Sequence, residues 1–174
     1  IVASCADDNP PQIEKSSELV SPRLLMDVST ESGQSPLTGI LTIMPCKAGT
    51  SIYYGNYINR KLTPFYGYYQ VKDGAFDGVN RELSLPAGLY NMIYWGTPKY
   101  EEPIYAHPLM RDPVYILGED MSRQHFSLFK MEADTTYYPV FDLVHAVQPA
   151  NIGSEDLKAS LKRVVTGLKV IIKD

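Results

Sequence analysis

Leu83-Ser84-Leu85-Pro86-Ala87-Gly88-Leu89-Tyr90-Asn91-Met92-Ile93-Tyr94-Trp95-Gly96 is the stretch that decides the fold. Glu82-Leu83-Ser84-Leu85 alternates polar and apolar residues, the side-chain period of a strand. Pro86-Ala87-Gly88 turns the chain, because proline fixes φ and glycine admits positive φ. Leu89–Trp95 is a long run rich in aromatic and apolar residues that ends at Gly96-Thr97-Pro98. Strand, tight turn and strand together predict a β-hairpin.

The same punctuation recurs outward from this unit. Arg23–Val28, Gly39–Met44 (closed by Pro45), Ser51–Ile58 (with Gly55 as a bulge) and Phe65–Val71 read as strands. Lys72-Asp73-Gly74 is a turn signal. A short edge strand is expected at Pro113–Leu117, and further strands at Gln124–Met131 and Thr135–Val147, with a break at Pro139. The proline-rich stretch 97–112 reads as a long loop. Near the end, Leu157, Leu161, Val164, Val165 and Leu168 fit helical spacing, while Val164, Thr166, Leu168, Val170 and Ile172 alternate. A helical turn near 155–161 followed by a strand over about 163–173 is expected.

Composition agrees with an all-β chain. The 174 residues hold 13 Tyr and 13 Pro, and 44% of residues are hydrophobic, enough for one packed domain. The formal net charge of −4, with no basic block, argues against nucleic-acid binding. The sequence has no apolar run of eighteen residues, so no membrane-spanning helix is expected.

The chain opens Ile1-Val2-Ala3-Ser4-Cys5-Ala6-Asp7-Asp8. Small residues before a cysteine resemble the bacterial lipobox, in which the thiol of the cysteine receives a diacylglycerol. Cys5 is the expected lipidation site, since buried acyl chains hold a soluble domain on a bilayer. Asp7-Asp8 resembles the acidic export tag of surface lipoproteins in Bacteroidetes. Residues 1–21 then read as signal remnant, lipidation site and disordered tether, and 22–174 as the folded domain. A Cys5–Cys46 disulfide is open in an oxidising compartment. If Cys5 is acylated, Cys46 is an unpaired, buried apolar residue, the preferred expectation.

Reaction chemistry is sparse. His107, His125 and His145 have no metal-ligand spacing, and two cysteines without supporting histidines make no zinc site. Glu101-Glu102 is a solvated loop pair rather than two carboxylates facing across a sugar. No serine-hydrolase elbow or glycine-rich phosphate cradle occurs. The expectation is no catalytic residue, no metal and no cofactor. Tyrosine pairs in strands point to opposite faces, so one of each pair is expected in the core and one outside. Tyr54, Tyr66, Tyr68 and Trp95 are the expected partner or ligand surface.

Leu83–Gly96, with its L-P-A-G-L-Y…Y-W-G pattern, resembles the hairpin of fimbrillin-like proteins of Bacteroidales, including their fimbrial anchor and accessory lipoproteins. Leu161–Val170 is similar to the strand that closes their N-terminal domain, and Cys5 matches their lipidated cysteine. The resemblance implies a transthyretin-like antiparallel β-sandwich of about seven strands and a second domain in full-length relatives. It also implies a non-catalytic lipoprotein on the outer membrane surface, serving as fimbrial anchor, tip or accessory subunit. Partners would be other fimbrial subunits, joined by β-strand addition. A monomeric glycan-binding surface lipoprotein is the alternative.

Overall fold

A computed structural model describes residues 18–25, 36–98, 115–123 and 144–163. The architecture is an all-β sandwich, as expected. In chain order the strands are β1 Leu19–Val20, β2 Leu24–Leu25, β3 Gly39–Lys47, β4 Asn56–Ile58, β5 Lys61–Thr63 and β6 Gly67–Lys72. Then come β7 Ala75–Arg81, β8 Leu85–Pro86, β9 Gly88–Pro98, β10 Val144–Ile152, β11 Leu157–Lys158 and β12 Lys162–Arg163. Six of them form one antiparallel sheet in the order β12-β10-β9-β3-β6-β7. The others make three two-stranded ladders, β1-β8, β2-β11 and β4-β5.

The core follows from strand alternation. Along β9, Tyr90, Met92 and Tyr94 point to one side, with Leu41 and Ile43 of β3, Tyr69 and Val71 of β6, and Ala146 and Ile152 of β10. Val20, Leu24, Leu85 and Leu157 from the short ladders close over that side and complete the main core. The opposite side is packed too: Met44, Cys46, Ile93 and Met121 form a second cluster with Tyr53 and Tyr66. Because both faces are covered, adjacent tyrosines go to different cores rather than one to water. Tyr53 joins the second cluster while Tyr54 packs on the first, and Tyr69 and Tyr68 divide likewise.

The hairpin expected over Arg81–Trp95 does not form. The segment runs strand, turn, strand, but its arms do not pair. Leu85↔Val20 and Pro86↔Leu19 put β8 against β1. β9 pairs instead with β3 and β10 over its length. Pro86-Ala87-Gly88 is therefore an arch from one layer to the other. Leu83 and Leu85 are buried in the main core, and a hairpin partner could not have placed them over the sheet.

The turn at Asp73-Gly74 is as expected, with φ of 50° and 78°, both left-handed, which suits the twist of a two-residue hairpin loop. Asp73 N–H donates to Thr38 Oγ1 at 2.9 Å and Gly74 N–H to the Leu37 carbonyl at 2.9 Å. β3 does not stop at Pro45 but continues to Lys47. The Pro45 carbonyl accepts from Tyr54 N–H at 2.8 Å, on the side away from β9, so the missing proline N–H costs the β9 ladder nothing. β10, Val144–Ile152, runs through Pro149 and beyond the expected end at Val147.

Three further expectations differ. No helical turn occupies 155–161; after a turn at Gly153-Ser154, Leu157–Lys158 pairs in parallel with Leu24–Leu25. Leu157 and Leu161 are buried, so the helical spacing reflected core contacts made by extended chain. Tyr115–Gly118 holds no strand. Leu19–Val20 is paired although it falls within the stretch read as tether. Cys5, His107, His125, Glu101-Glu102 and the strands expected at 124–131 and 164–173 lie outside the described residues.

Candidate functional site

The six-stranded sheet ends at β7, and this edge is the most conspicuous feature a partner could use. Among the described residues no strand pairs with its outer side. β7 was not expected as a strand, because Asp77, Gly78 and Asn80 interrupt its apolar pattern. Those residues suit an edge, where most positions meet water. Phe76 and Val79 are 42% and 49% exposed. The Phe76 ring leans on Tyr69 with centroids 5.7 Å apart. The β6–β7 register shifts twice, between Tyr68 and Tyr69 and between Gln70 and Val71. Such bulges twist an edge and restrict which strand can add to it.

Arg81 fastens the end of β7. Its guanidinium lies over the rings of Phe65 and Tyr66, 4.8 and 5.4 Å from their centroids. Its Nη1 donates to the Tyr66 carbonyl at 3.4 Å. The next residues are held by a buried amide. Asn56, fully buried, donates from Nδ2 to the Glu82 carbonyl at 2.9 Å and accepts from Ser84 N–H at 2.7 Å.

The four aromatic residues expected to form one surface do not converge. Tyr54 lies on the main-core side, edge-on to Tyr90 at 5.3 Å, and burial pushes its hydroxyl pKa up. Tyr66 is 4% exposed and belongs to the second cluster, in edge contact with Tyr115 at 5.6 Å. That position rules it out as a surface contact in this structure. Tyr68 and Trp95 are half-buried on the same side as that cluster. One cross-strand row carries Tyr68, Thr42, Trp95 and His145 across β6, β3, β9 and β10. Trp95 packs on His145 with ring centroids 4.1 Å apart, and burial holds the imidazole below its usual range.

Cys46 is a free, buried thiol. Burial first, and then the Asp120 carboxylate, push its pKa up to about 12, the opposite of what a reactive thiolate needs. No group of three or more His, Cys, Asp and Glu among the described residues could hold a metal ion. No described helix is long and apolar enough to cross a membrane.

Among the described residues the most distinctive chemistry is thus backbone at a sheet edge, with aromatic and cationic groups at one end of it. No curated protein and no solved structure matches the chain. The sequence profile of the fimbrillin-A associated anchor proteins Mfa1 and Mfa2 matches residues 19–174, nearly all of the sequence, and the chain therefore belongs to that family.

Proposed function

We propose that the chain is a non-catalytic surface lipoprotein, anchored through Cys5, that pairs with a partner subunit by adding a strand along β7. Family membership supplies the coarser part: a fimbrial anchor or accessory role at the cell surface, in association with other fimbrial subunits. The observation that carries the finer part is that no described strand pairs with the outer side of β7, a strand on which Phe76 and Val79 are exposed. An edge of this kind offers a row of backbone donors and acceptors to an incoming strand, while side chains select which strand fits. Val79 is 49% exposed, so Val79→Lys is expected to leave the fold intact while it sets a charge in the path of an added strand. Binding of purified fimbriae to the wild type and to the variant would be compared, with melting temperature as control. Equal binding by a folded Val79→Lys protein would remove β7 as the pairing edge. Anchoring is tested by feeding cells labelled palmitate. Cys5→Ala is expected to lose the label and membrane retention, and an unlabelled wild type would end that part of the proposal.

A further inference from the structure

The β6–β7 hairpin holds the dipeptide Asp-Gly twice, at Asp73-Gly74 in its turn and at Asp77-Gly78 in β7. Asp-Gly is the pair in which an aspartyl side chain most readily closes on the backbone, because glycine puts no side chain beside the attacking amide nitrogen. The two copies sit in different surroundings. At the turn both reacting groups are tied. Asp73 Oδ1 accepts from Thr38 Oγ1 at 3.2 Å, and Gly74 N–H donates to the Leu37 carbonyl at 2.9 Å. The φ of 78° at Gly74 also makes glycine the fitting residue there.

Asp77 is held by much less. In the β6–β7 register Gly78 lies opposite Gln70 and Phe76 opposite Val71, so Asp77 has no partner residue across the ladder. It is the extra residue of a bulge. The extra residue of the other bulge, Asn80, is fastened, since Gln70 Nε2 donates to its Oδ1 at 3.1 Å. Asp77 is exposed, and its carboxylate makes no hydrogen bond or ion pair to another described residue. Nothing in the backbone demands glycine at 78. Its φ is not positive, and a Cβ there would meet nothing nearer than Gln70 Oε1 at 3.7 Å, an ordinary contact.

We propose that Asp77-Gly78 is a self-modification site, at which the folded chain converts Asp77 to isoaspartate. The Gly78 nitrogen attacks Cγ of the protonated Asp77 carboxyl. A bond forms between that nitrogen and Cγ, and the carboxyl hydroxyl leaves as water with the amide proton. Water then adds to one of the two carbonyls of the resulting five-membered imide. Opening at Cγ restores aspartate. Opening at the main-chain carbonyl breaks the original peptide bond, so the chain runs on through the side-chain carbon and the main-chain carbonyl becomes a carboxylate. Water is the only co-reactant, and the composition of the chain is unchanged. β7 is then one backbone carbon longer at residue 77. A bulge accommodates that product best, because no cross-strand partner is displaced there. The inference concerns the chain alone and does not depend on what pairs with β7.

The test ages the full chain in neutral buffer, both folded and unfolded in denaturant. Total isoaspartate is read by methyl transfer from a protein isoaspartyl methyltransferase, and its position by electron-transfer fragmentation of the peptides. The two Asp-Gly pairs should convert at similar rates in denaturant. In the folded chain Asp77 should convert about tenfold or more faster than Asp73, the scale set by opening two hydrogen bonds at the turn. Asp77→Glu and Gly78→Ala should each remove most of the methyl label. Thr38→Val, which unties Asp73, should raise conversion at Asp73 and leave Asp77 as it was. An unlabelled folded wild type would overturn the inference, as would conversion at Asp73 equal to or faster than that at Asp77. So would a preference for Asp77 that persists undiminished in denaturant, since it would belong to the local sequence and not to the bulge.

Discussion

Strands β9 and β7 belong to the same sheet yet obey different rules. β9 has neighbours on both sides and cores above and below, and its apolar side chains from Met92 to Trp95 alternate between those cores. Among the described residues β7 has one neighbour, and five of its seven residues are exposed. Burial on both faces makes the centre of β9 intolerant of change; at the edge, most β7 side chains meet water. Sheet membership alone therefore says little about what a residue contributes. The number of sides on which it is covered says more.

The sharpest way to break this contrast is to shorten a β9 side chain. Met92, fully buried, sits in the main core; Met92→Ala is expected to cost about 2–5 kcal/mol by chemical denaturation. A loss below ~1 kcal/mol would mean that the centre of β9 is no better packed than an edge. Gly96 tests the same strand in the other direction. A Cβ there would lie 2.5 Å from Val144 Cγ2 and 2.8 Å from Leu37 Cδ2. Gly96→Ala should therefore overpack and cost about 1–3 kcal/mol.

A pH measurement refines the picture at Cys46, opposite Asn91 of β9. Its thiol pKa is raised from 9.0 to about 12 by burial and by Asp120. The unfolded thiol ionises first, so the stability tied to the neutral thiol is whole below pH 9 and is lost as pH climbs toward 12. Tyr69, raised to about 12 mainly by burial, acts in the same direction. Cys46→Ala should show a shallower alkaline loss than wild type in denaturation at pH 8 and at about pH 11. An identical loss would mean that the thiol is not desolvated. The smallest effect belongs to β7: Val79→Lys should move stability by no more than about 0.5 kcal/mol, however much it harms association. A large drop would make β7 a structural strand like β9.

The same contrast explains what was legible beforehand. β3, β6 and β9 were foreseeable because packing on both faces demands apolar residues at nearly every position. The Asp73-Gly74 turn was foreseeable because few residue pairs accept two left-handed positions. β7 was missed because an exposed edge imposes no apolar period, and Asp77, Gly78 and Asn80 read as loop. Pairing was harder than strand existence: nothing in Leu83–Trp95 distinguishes a hairpin from an arch between layers, since both need a strand, a turn and a strand. The helical spacing at Leu157 and Leu161 misled for a related reason, as extended chain reaching over a sheet can bury residues four apart. Of the candidate site, the tyrosines were visible but their grouping was not. Whether Tyr66 faces water or a core depends on Tyr115 and Met121, far along the chain.

The arch at Pro86-Ala87-Gly88 has a mechanical consequence. Tension applied to the chain ahead of Leu19 reaches the two-residue β1–β8 ladder before it reaches β9. That ladder, like β2–β11, is only two residues long, whereas β9 is gripped along its length by β3 and β10. A pull from a tether would therefore peel β1 away as a short, reversible extension and leave the large sheet intact. The domain would yield a little under load before it failed, and force spectroscopy on the tethered chain should resolve a small early step ahead of the main rupture.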